Sequence, residues 1–337
     1  DPCSETNIVK TLIESSVGDL VQAPFQIDVQ PVEPSDEPYS GEVEDLMNYI
    51  YKKNNPVIKL DMAERWRRKF GGVLILTGFD TKALAGFGMP TWEPIHPECF
   101  FPDPKVTRYD KLQDGDFHII AEWVSVRWVK ERFKKRGKYV TRDTQFSYQL
   151  PISGDKVESI SGDIGDMVLY LCYWYKDEEG KLGLKIVADS ELLYDSEKNE
   201  DQDDDFVPEI FENNKYPMVY IPRFVVDGQL WGSSDVKEIK KIQDNINDYD
   251  DQILLNAKLT GNNQVVVGKR AKINLTKWVA IPGLKIPAVD EKAINQLQPK
   301  SIPYYIIEHR NTKKEEAGYI TGREDVIEGR NASGVRT

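Results

Sequence analysis

Carboxylates are the commonest chemically capable side chains in this sequence, with 56 Asp and Glu against 44 Lys and Arg and three His. Two carboxylates held in different environments can act as general acid and general base, so an acidic monomeric hydrolase is one reading that the composition permits. The densest group, Asp201 with Asp203, Asp204 and Asp205, reads instead as a solvated, mobile loop, because like charges repel and favour an extended chain. A calcium loop would need its ligands to alternate around a Gly, which this run lacks. His96, His118 and His309 are scattered without the partner spacing of a metal site, and structural or surface roles suit them better. Cys3, Cys99 and Cys172 are odd in number and far apart. That count argues against a disulfide framework or a zinc site and points to synthesis in a reducing, intracellular place. No Ser or Cys stands in a nucleophile-elbow or Cys/His context. "GNNQVVVGK" brings Gly261, Gly268 and Lys269 together at the wrong spacing for a phosphate-binding loop. The expectation is a chain without catalysis, cofactor or metal.

Two further groups bear on binding. Lys269, Arg270, Lys272 and Lys277 form a short basic patch beside Trp278, for which a solvated β surface is the plainer reading than a nucleic-acid site. Tyr170, Tyr173, Trp174 and Tyr175 read as strand packing rather than as a stacking platform for bases. The formal net charge of −12 suits a free monomer poorly for wrapping phosphates. The acid is unevenly spread. From Leu230 onward there are 17 Lys and Arg against 14 Asp and Glu, whereas the preceding residues hold 27 against 42.

The elements that must position these residues follow from periodicity. "NIVKTLIESSVGDLVQ" spaces Ile8, Leu12, Ile13, Val17, Leu20 and Val21 as a helix does. "SGEVEDLMNYIYKKN" predicts a second helix, capped by Ser40, with Val43, Leu46, Met47 and Ile50 on one face. "IKLDMAERWRRKFGG" predicts a third, stopped by its glycines, followed by a buried strand in "VLILTGFD". "FHIIAEWV" reads as a strand, and "SVRWVKERFKKRG" as a helix from the Ser125 cap to Gly137. "MVLYLCYWYKDEEGKLGLKIVAD" is a hairpin, and "YPMVYIPRFVV" an edge strand because Pro217 and Pro222 cannot donate to a ladder. The result is an α+β body. No apolar run reaches membrane-spanning length. The chain starts without Met and stops in a polar stretch, so both ends look like cuts within a longer polypeptide.

After this body the style of the sequence changes. "SSDVKEIKKIQDNINDYDDQILLNAKLTG" is a long helix, capped by Ser233, Ser234 or Asp235, with Gly261 past its end. Val236, Ile239, Ile242, Ile246, Tyr249, Ile253 and Ala257 step by threes and fours in one narrow seam. So lightly apolar a helix must project or stand beside copies of itself. "PYYIIEHRNTKKEEAGY" predicts a second helix that stops at Gly318.

Residues 216–267, "YPMVYIPRFVVDGQLWGSSDVKEIKKIQDNINDYDDQILLNAKLTGNNQVVV", resemble the portal proteins of tailed bacteriophages. There a Gly-Ser step leads into a helix with a Gln-Asp…Ile-Asn pattern, here Gln243, Asp244, Ile246 and Asn247. The N-terminal "NIVKTLIESSVGDLVQAPFQIDVQP", the stretch "ECFFPDPKVTRYDKLQDGDFHIIAEWVSVRWVKERF" and the closing "EGRNASGVRT" match the family in order. Arg336 and Thr337 depart from its usual residues.

The resemblance implies a portal-type α+β fold: a mixed α/β wing (1–232), a two-helix stem (233–259 and 303–318) and a small β-containing clip (260–302). A tunnel loop and the start of a C-terminal wing (319–337) complete it. It implies a homo-oligomeric ring of about twelve subunits at the unique capsid vertex, assembled in the bacterial host cytoplasm. Double-stranded DNA passes through without sequence preference during packaging and ejection. The implied partners are the terminase large subunit, head–tail adaptor, capsid and scaffold proteins, with no membrane. Arg323, Glu324, Asp325, Glu328 and Arg330 would face the DNA. Lys269, Arg270, Lys272 and Trp278 would form the docking surface of the clip. Ile239, Ile242, Ile246, Tyr249 and Ile253 would be the seam between subunits, since a closed cyclic ring buries one face of each copy against a different face of the next.

Overall fold

The computed structural model describes residues 6–22, 27–142, 146–151, 157–162, 166–197, 213–261, 264–268, 272, 294–297 and 301–322. The chain divides into two compact units, Ser16–Lys237 on one side and Asp1–Ser15 with Glu238–Thr337 on the other.

The Ser16–Lys237 unit is an antiparallel α+β body. Its larger sheet has the strand order β3-β4-β7-β8-β9, from Phe100–Pro102, Phe117–Ser125, Met167–Lys176, Leu182–Ala188 and Glu191–Asp195. The smaller sheet runs β10-β1-β2, from Met218–Pro222, Gly72–Asp80 and Met89–Ile95. β10 lies at an edge, where its flanking prolines cost no ladder bond. The hairpin expected at 167–189 is β7 paired with β8, from Tyr170↔Ala188 to Lys176↔Leu182. Alternation along β7 turns Val168, Tyr170 and Trp174 inward, while Tyr173 stacks on Phe117 and on Tyr175 along the strand. These join Leu74, Ile120, Phe133, Leu182, Leu184, Ile186 and Met218 in one core. β5 (Phe146–Pro151) and β6 (Val157–Gly162) form a separate hairpin.

Of the helices of the body, the third ends at its glycines as expected, while the second and the end of the fourth depart from the sequence expectation. α2 spans Glu37–Lys53, with a Pro in its first turn. The Ser40 hydroxyl donates to Glu37 O instead of capping, because the helix has already begun at Glu37 and Pro38 has no N–H that would need an acceptor. Val43, Leu46 and Met47 share a face as expected, but that face is exposed and α2 buries no residue. α3 spans Pro56–Phe70 and ends on Gly71 at φ 90°. α4 is Val126–Arg132, with the Ser125 hydroxyl accepting from Trp128 N–H at 3.1 Å. It stops before Gly137, which starts a separate one-turn helix at Gly137–Tyr139.

α1 (Ile8–Gln22) and the 27-residue α5 (Asp235–Gly261) each contribute to both units. α5 starts with Ser234 as its cap, the hydroxyl accepting from Lys237 N–H at 3.0 Å. α6 spans Tyr304–Thr321 and passes straight through Gly318, which is buried together with Ala317. Gly322, at φ 70°, ends it. A buried Gly inside a helix lets a neighbour approach, and only the left-handed position demands one. Between these helices β11 (Gln264–Val267) pairs with β12 (Ile294–Leu297).

Candidate functional site

The long helix α5 is gripped at two places, and each grip is built from residues that the sequence displays as ordinary polar punctuation.

The first grip is at its start. Gly232 and Gly71 lie back to back: a Cβ on Gly71 would stand 2.2 Å from Gly232 O, and one on Gly232 2.4 Å from Gly71 O. No side chain fits at either position. Arg223 N–H donates to Gly71 O at 2.8 Å, and Ser233 pairs with Phe224 as an isolated bridge. This sets Asp235, 1% exposed at its side chain, between two guanidinium groups: Arg68 Nη1 at 2.7 Å and Arg223 Nε at 2.8 Å. Arg68 also donates to Glu64 Oε1 at 2.6 Å, and Arg67 makes a two-point contact with the same carboxylate. Burial pushes the Glu64 carboxyl up, yet the Arg67 and Arg68 hydrogen bonds and charges outweigh it and hold the group below its ordinary range. A carboxylate in the first turn of a helix is further favoured by the positive end of the helix dipole. The Gly-Ser-Ser-Asp step is therefore a close backbone crossing followed by a cap and a buried ion-pair network.

The second grip is on the α5 surface within the Glu238–Thr337 unit. Ile239, Ile242 and Ile246 cluster with Ile8 and Leu12 of α1 and with Ala317 of α6. Polar residues flank this cluster on the same helix face. Gln243 Oε1 accepts from Ile8 N–H at 3.1 Å, and its Nε2 donates to Thr6 O and to Asn247 Oδ1. Asp250 accepts from the Thr6 hydroxyl at 2.7 Å and takes both Nε and Nη2 of Arg310. Burial raises the Asp250 carboxyl, but hydrogen bonds from Arg310 and Thr6, with the charges of Arg310 and Lys314, prevail and lower it. Asp250 thus joins three segments of chain at one carboxylate.

The expected seam residues fall into two groups. Ile239, Ile242 and Ile246 are buried by the chain's own α1 and α6, with Ile246 at 0% exposure. Tyr249 and Ile253 are half-buried, and Leu254 and Leu255 nearby are exposed. Of the basic patch, Lys272 is exposed at φ 49°, while Lys269, Arg270 and Trp278 lie outside the described residues. Arg323, Glu324, Asp325, Glu328 and Arg330 also lie outside them, as does the acidic run Asp201–Asp205.

Sequence reading missed Gln243, Asp250 and Arg310 as anchors. A signal was present: Gln243, Asn247 and Asp250 recur at helical spacing beside the apolar seam, where polar groups must find partners.

Histidines and carboxylates of the body carry structural duties. His118 is buried; its Nε2 lies 2.8 Å from Leu112 O and its Nδ1 accepts from Asp103 N–H. Burial keeps it neutral by lowering its pKa. His96 packs edge-on against Trp66 and Phe70. An open cleft of about 630 Å³ lies beside Phe101, Pro104 and Trp231. Its buried acid, Asp103, spends both oxygens on the backbone N–H groups of Lys105 and Asp116. Among the described residues, no group of three or more His, Cys, Asp or Glu could hold a metal ion, and no helix is long and apolar enough to cross a membrane.

A search of curated proteins finds no match to the chain. The family model for the Phage P22-like portal protein matches residues 1–216, and with well over half of its length so matched the chain belongs to this family of phage portal proteins.

Proposed function

We propose that this chain is one subunit of a ring of about twelve at the unique capsid vertex, forming a conduit for double-stranded DNA and a docking site for terminase and head–tail adaptor proteins. The observation that carries the reading is the family match across residues 1–216. The family is one of structural ring proteins, and family membership implies a place in the virion. In this reading residues 1–232 form the wing. Residues 233–259 and 303–318 supply the stem, with α6 extending it to Thr321. Residues 260–302 form the clip, and the part of 319–337 that follows α6 forms the tunnel loop with the first part of a further wing.

The stem contact between neighbours then narrows. Ile239, Ile242 and Ile246 are already covered within the chain, so Tyr249, Ile253, Leu254 and Leu255 are what remains for the next copy. The exposed Val43, Leu46 and Met47 of α2 support a further contact in the wing, since a continuous apolar face in water marks an interface. A heterologous ring needs two such different faces on each subunit.

Native mass spectrometry with negative-stain imaging tests the ring. A closed oligomer is expected, converted to monomer by Ile253→Asp with Leu254→Asp. An oligomer unaffected by those changes overturns the stem contact. For the loop, reversing the charges of Arg323, Glu324, Asp325, Glu328 and Arg330 together should alter DNA packaging or retention, and unchanged packaging removes those residues from the channel.

A further inference from the structure

The open cleft of about 630 Å³ lies within the Ser16–Lys237 unit, walled on one side by residues 97–107 and on the other by residues 228–231. We propose that it is a docking site for an extended, proline-containing segment of a partner protein that carries a Lys or Arg beside its prolines.

The walls decide what kind of chain fits. Pro97, Pro102 and Pro104 line the cleft, and a proline has no N–H to offer. An incoming β-strand finds no ladder donor at those three positions. A polyproline II segment needs none, because it makes no hydrogen bonds within itself and carries its carbonyls bare. What such a segment needs is an aromatic-lined groove with a donor for one of those carbonyls.

Both are present. Phe101 and Trp231 line the cleft and are 52% and 38% exposed. The Trp231 ring is held edge-on by Tyr220, at 5.4 Å between centroids, and by Phe100, at 6.1 Å. Those two rings are buried in the core, so Trp231 is fixed in place before any partner arrives, which lowers the ordering cost of binding. Among the described residues, its indole N–H has no hydrogen-bond partner. The side-chain amide of Gln229, exposed and also in the lining, has none either.

Charge chooses among such segments. Glu98 lines the cleft, and its ion-pair neighbour among the described residues is His96, at 3.8 Å. Burial lowers the His96 pKa against the opposing pull of Glu98, so the ring is neutral at pH 7 and leaves the carboxylate uncompensated. Asp227, next to the lining Gly228, is exposed and has no ionic partner among the described residues. The cations of the same wall are already spent, Lys105 on Asp116 and Arg108 on Asp110. An apolar cleft with two uncompensated acids is complementary to prolines with a basic neighbour. The chain's own exposed run from Pro31 to Pro34 is a poor occupant from a second copy, because Asp28, Glu33 and Asp36 are acidic.

The test is fluorescence anisotropy of the full chain with the labelled peptide Arg-Ala-Leu-Pro-Pro-Leu-Pro. Saturable binding with a Kd below about 1 mM is expected. Phe101→Ala should weaken it by about tenfold. Trp231→Phe, which keeps a ring and drops the N–H, should weaken it by about fivefold. Glu98→Gln should cost about threefold with this peptide and nothing with one carrying Ala in place of Arg. That dependence on the peptide's charge separates recognition from loss of fold. Phe87→Ala, at an exposed aromatic outside the lining, should leave binding unchanged. The proposal is overturned if the peptide does not bind, or if a version with alanines in place of its prolines binds as well. It is also overturned if an acidic peptide of residues 29–37 of this chain binds more tightly than the basic one, since the cleft would then be a contact between copies.

Discussion

Each of the two units has its own internal means of cohesion. In the body, the strands of two antiparallel sheets pool a large apolar cluster from Leu74 to Leu230. In the unit containing most of α5, six buried side chains form the cluster among the described residues, and polar specificity comes from Gln243 and Asp250 reaching Thr6, Ile8 and Arg310. Burial of apolar area is non-directional and tolerant of small shifts. Hydrogen bonds through one amide and one carboxylate are directional and fix the register of one segment along another. The body is built for stability, and the α5 unit for register.

That contrast predicts a graded response to substitution. The largest loss is expected at Asp235→Ala, which leaves Arg68 and Arg223 facing each other without their shared carboxylate; breaking a buried pair in this way costs about 3–5 kcal/mol. Denaturant unfolding should show it, and an Asp235→Ala chain within 1 kcal/mol of the parent, on the order of a surface substitution, would mean that the arginines do not depend on Asp235 for their charge balance. Next comes a matched pair of cavities. Leu74→Ala in the body should cost about 4 kcal/mol, and Ile246→Ala on α5 about 2–3, because a void between helices collapses more readily than one in a sheet core. Equal losses would erase the distinction between the two kinds of packing.

Much of this was legible in the sequence wherever periodicity ran long. The spacing of Ile8 to Val21, the seam of α5, the β7–β8 hairpin and the edge position of β10 all follow from apolar pattern and proline chemistry. The misreadings have local physical causes. Ser40 has the composition of a cap, but Pro38 starts the helix earlier. Gly318 has the composition of a stop, but it is buried beside Ala317 and the helix runs on to the left-handed Gly322. The face of α2 was legible as apolar, while its exposure was not, since pattern says which residues share a face and not what covers it. The Gln-Asp…Ile-Asn pattern carried part of the resemblance to portal proteins, but only the structure assigns three of its four residues to holding the start of α1, through Gln243, Ile246 and Asn247.

The polar side of the comparison is tested by Gln243→Ala. It removes the acceptor for Ile8 N–H and the donor to Thr6 O while leaving the apolar cluster in place. A loss of about 2 kcal/mol is expected, with amide exchange accelerated at Ile8 to Thr11 and unchanged in the β4–β7 ladder. Uniform acceleration in both regions would show that Gln243 supports the whole chain and not the register of α1.

The smallest effect should come from acid acting on Asp250. Its carboxyl is lowered in the folded chain by Arg310 and Thr6 acting against burial. The contribution is therefore fully present above the ordinary aspartate range, about 3.9, and is lost as pH falls through the lowered folded value. Asp250→Asn, which keeps the shape but drops the charge, should cost about 1 kcal/mol at pH 7. As pH falls below the ordinary aspartate range and through the lowered folded value, the difference from the parent should shrink toward zero, because the parent carboxyl takes up its own proton. Glu64 and Asp103 are also lowered and destabilise the body over the same window, so the informative quantity is the difference between parent and variant, which cancels them. A difference that stays constant across this range would mean that Asp250 works through packing and not through its charge, and the α5 unit would then be held by the same apolar means as the body.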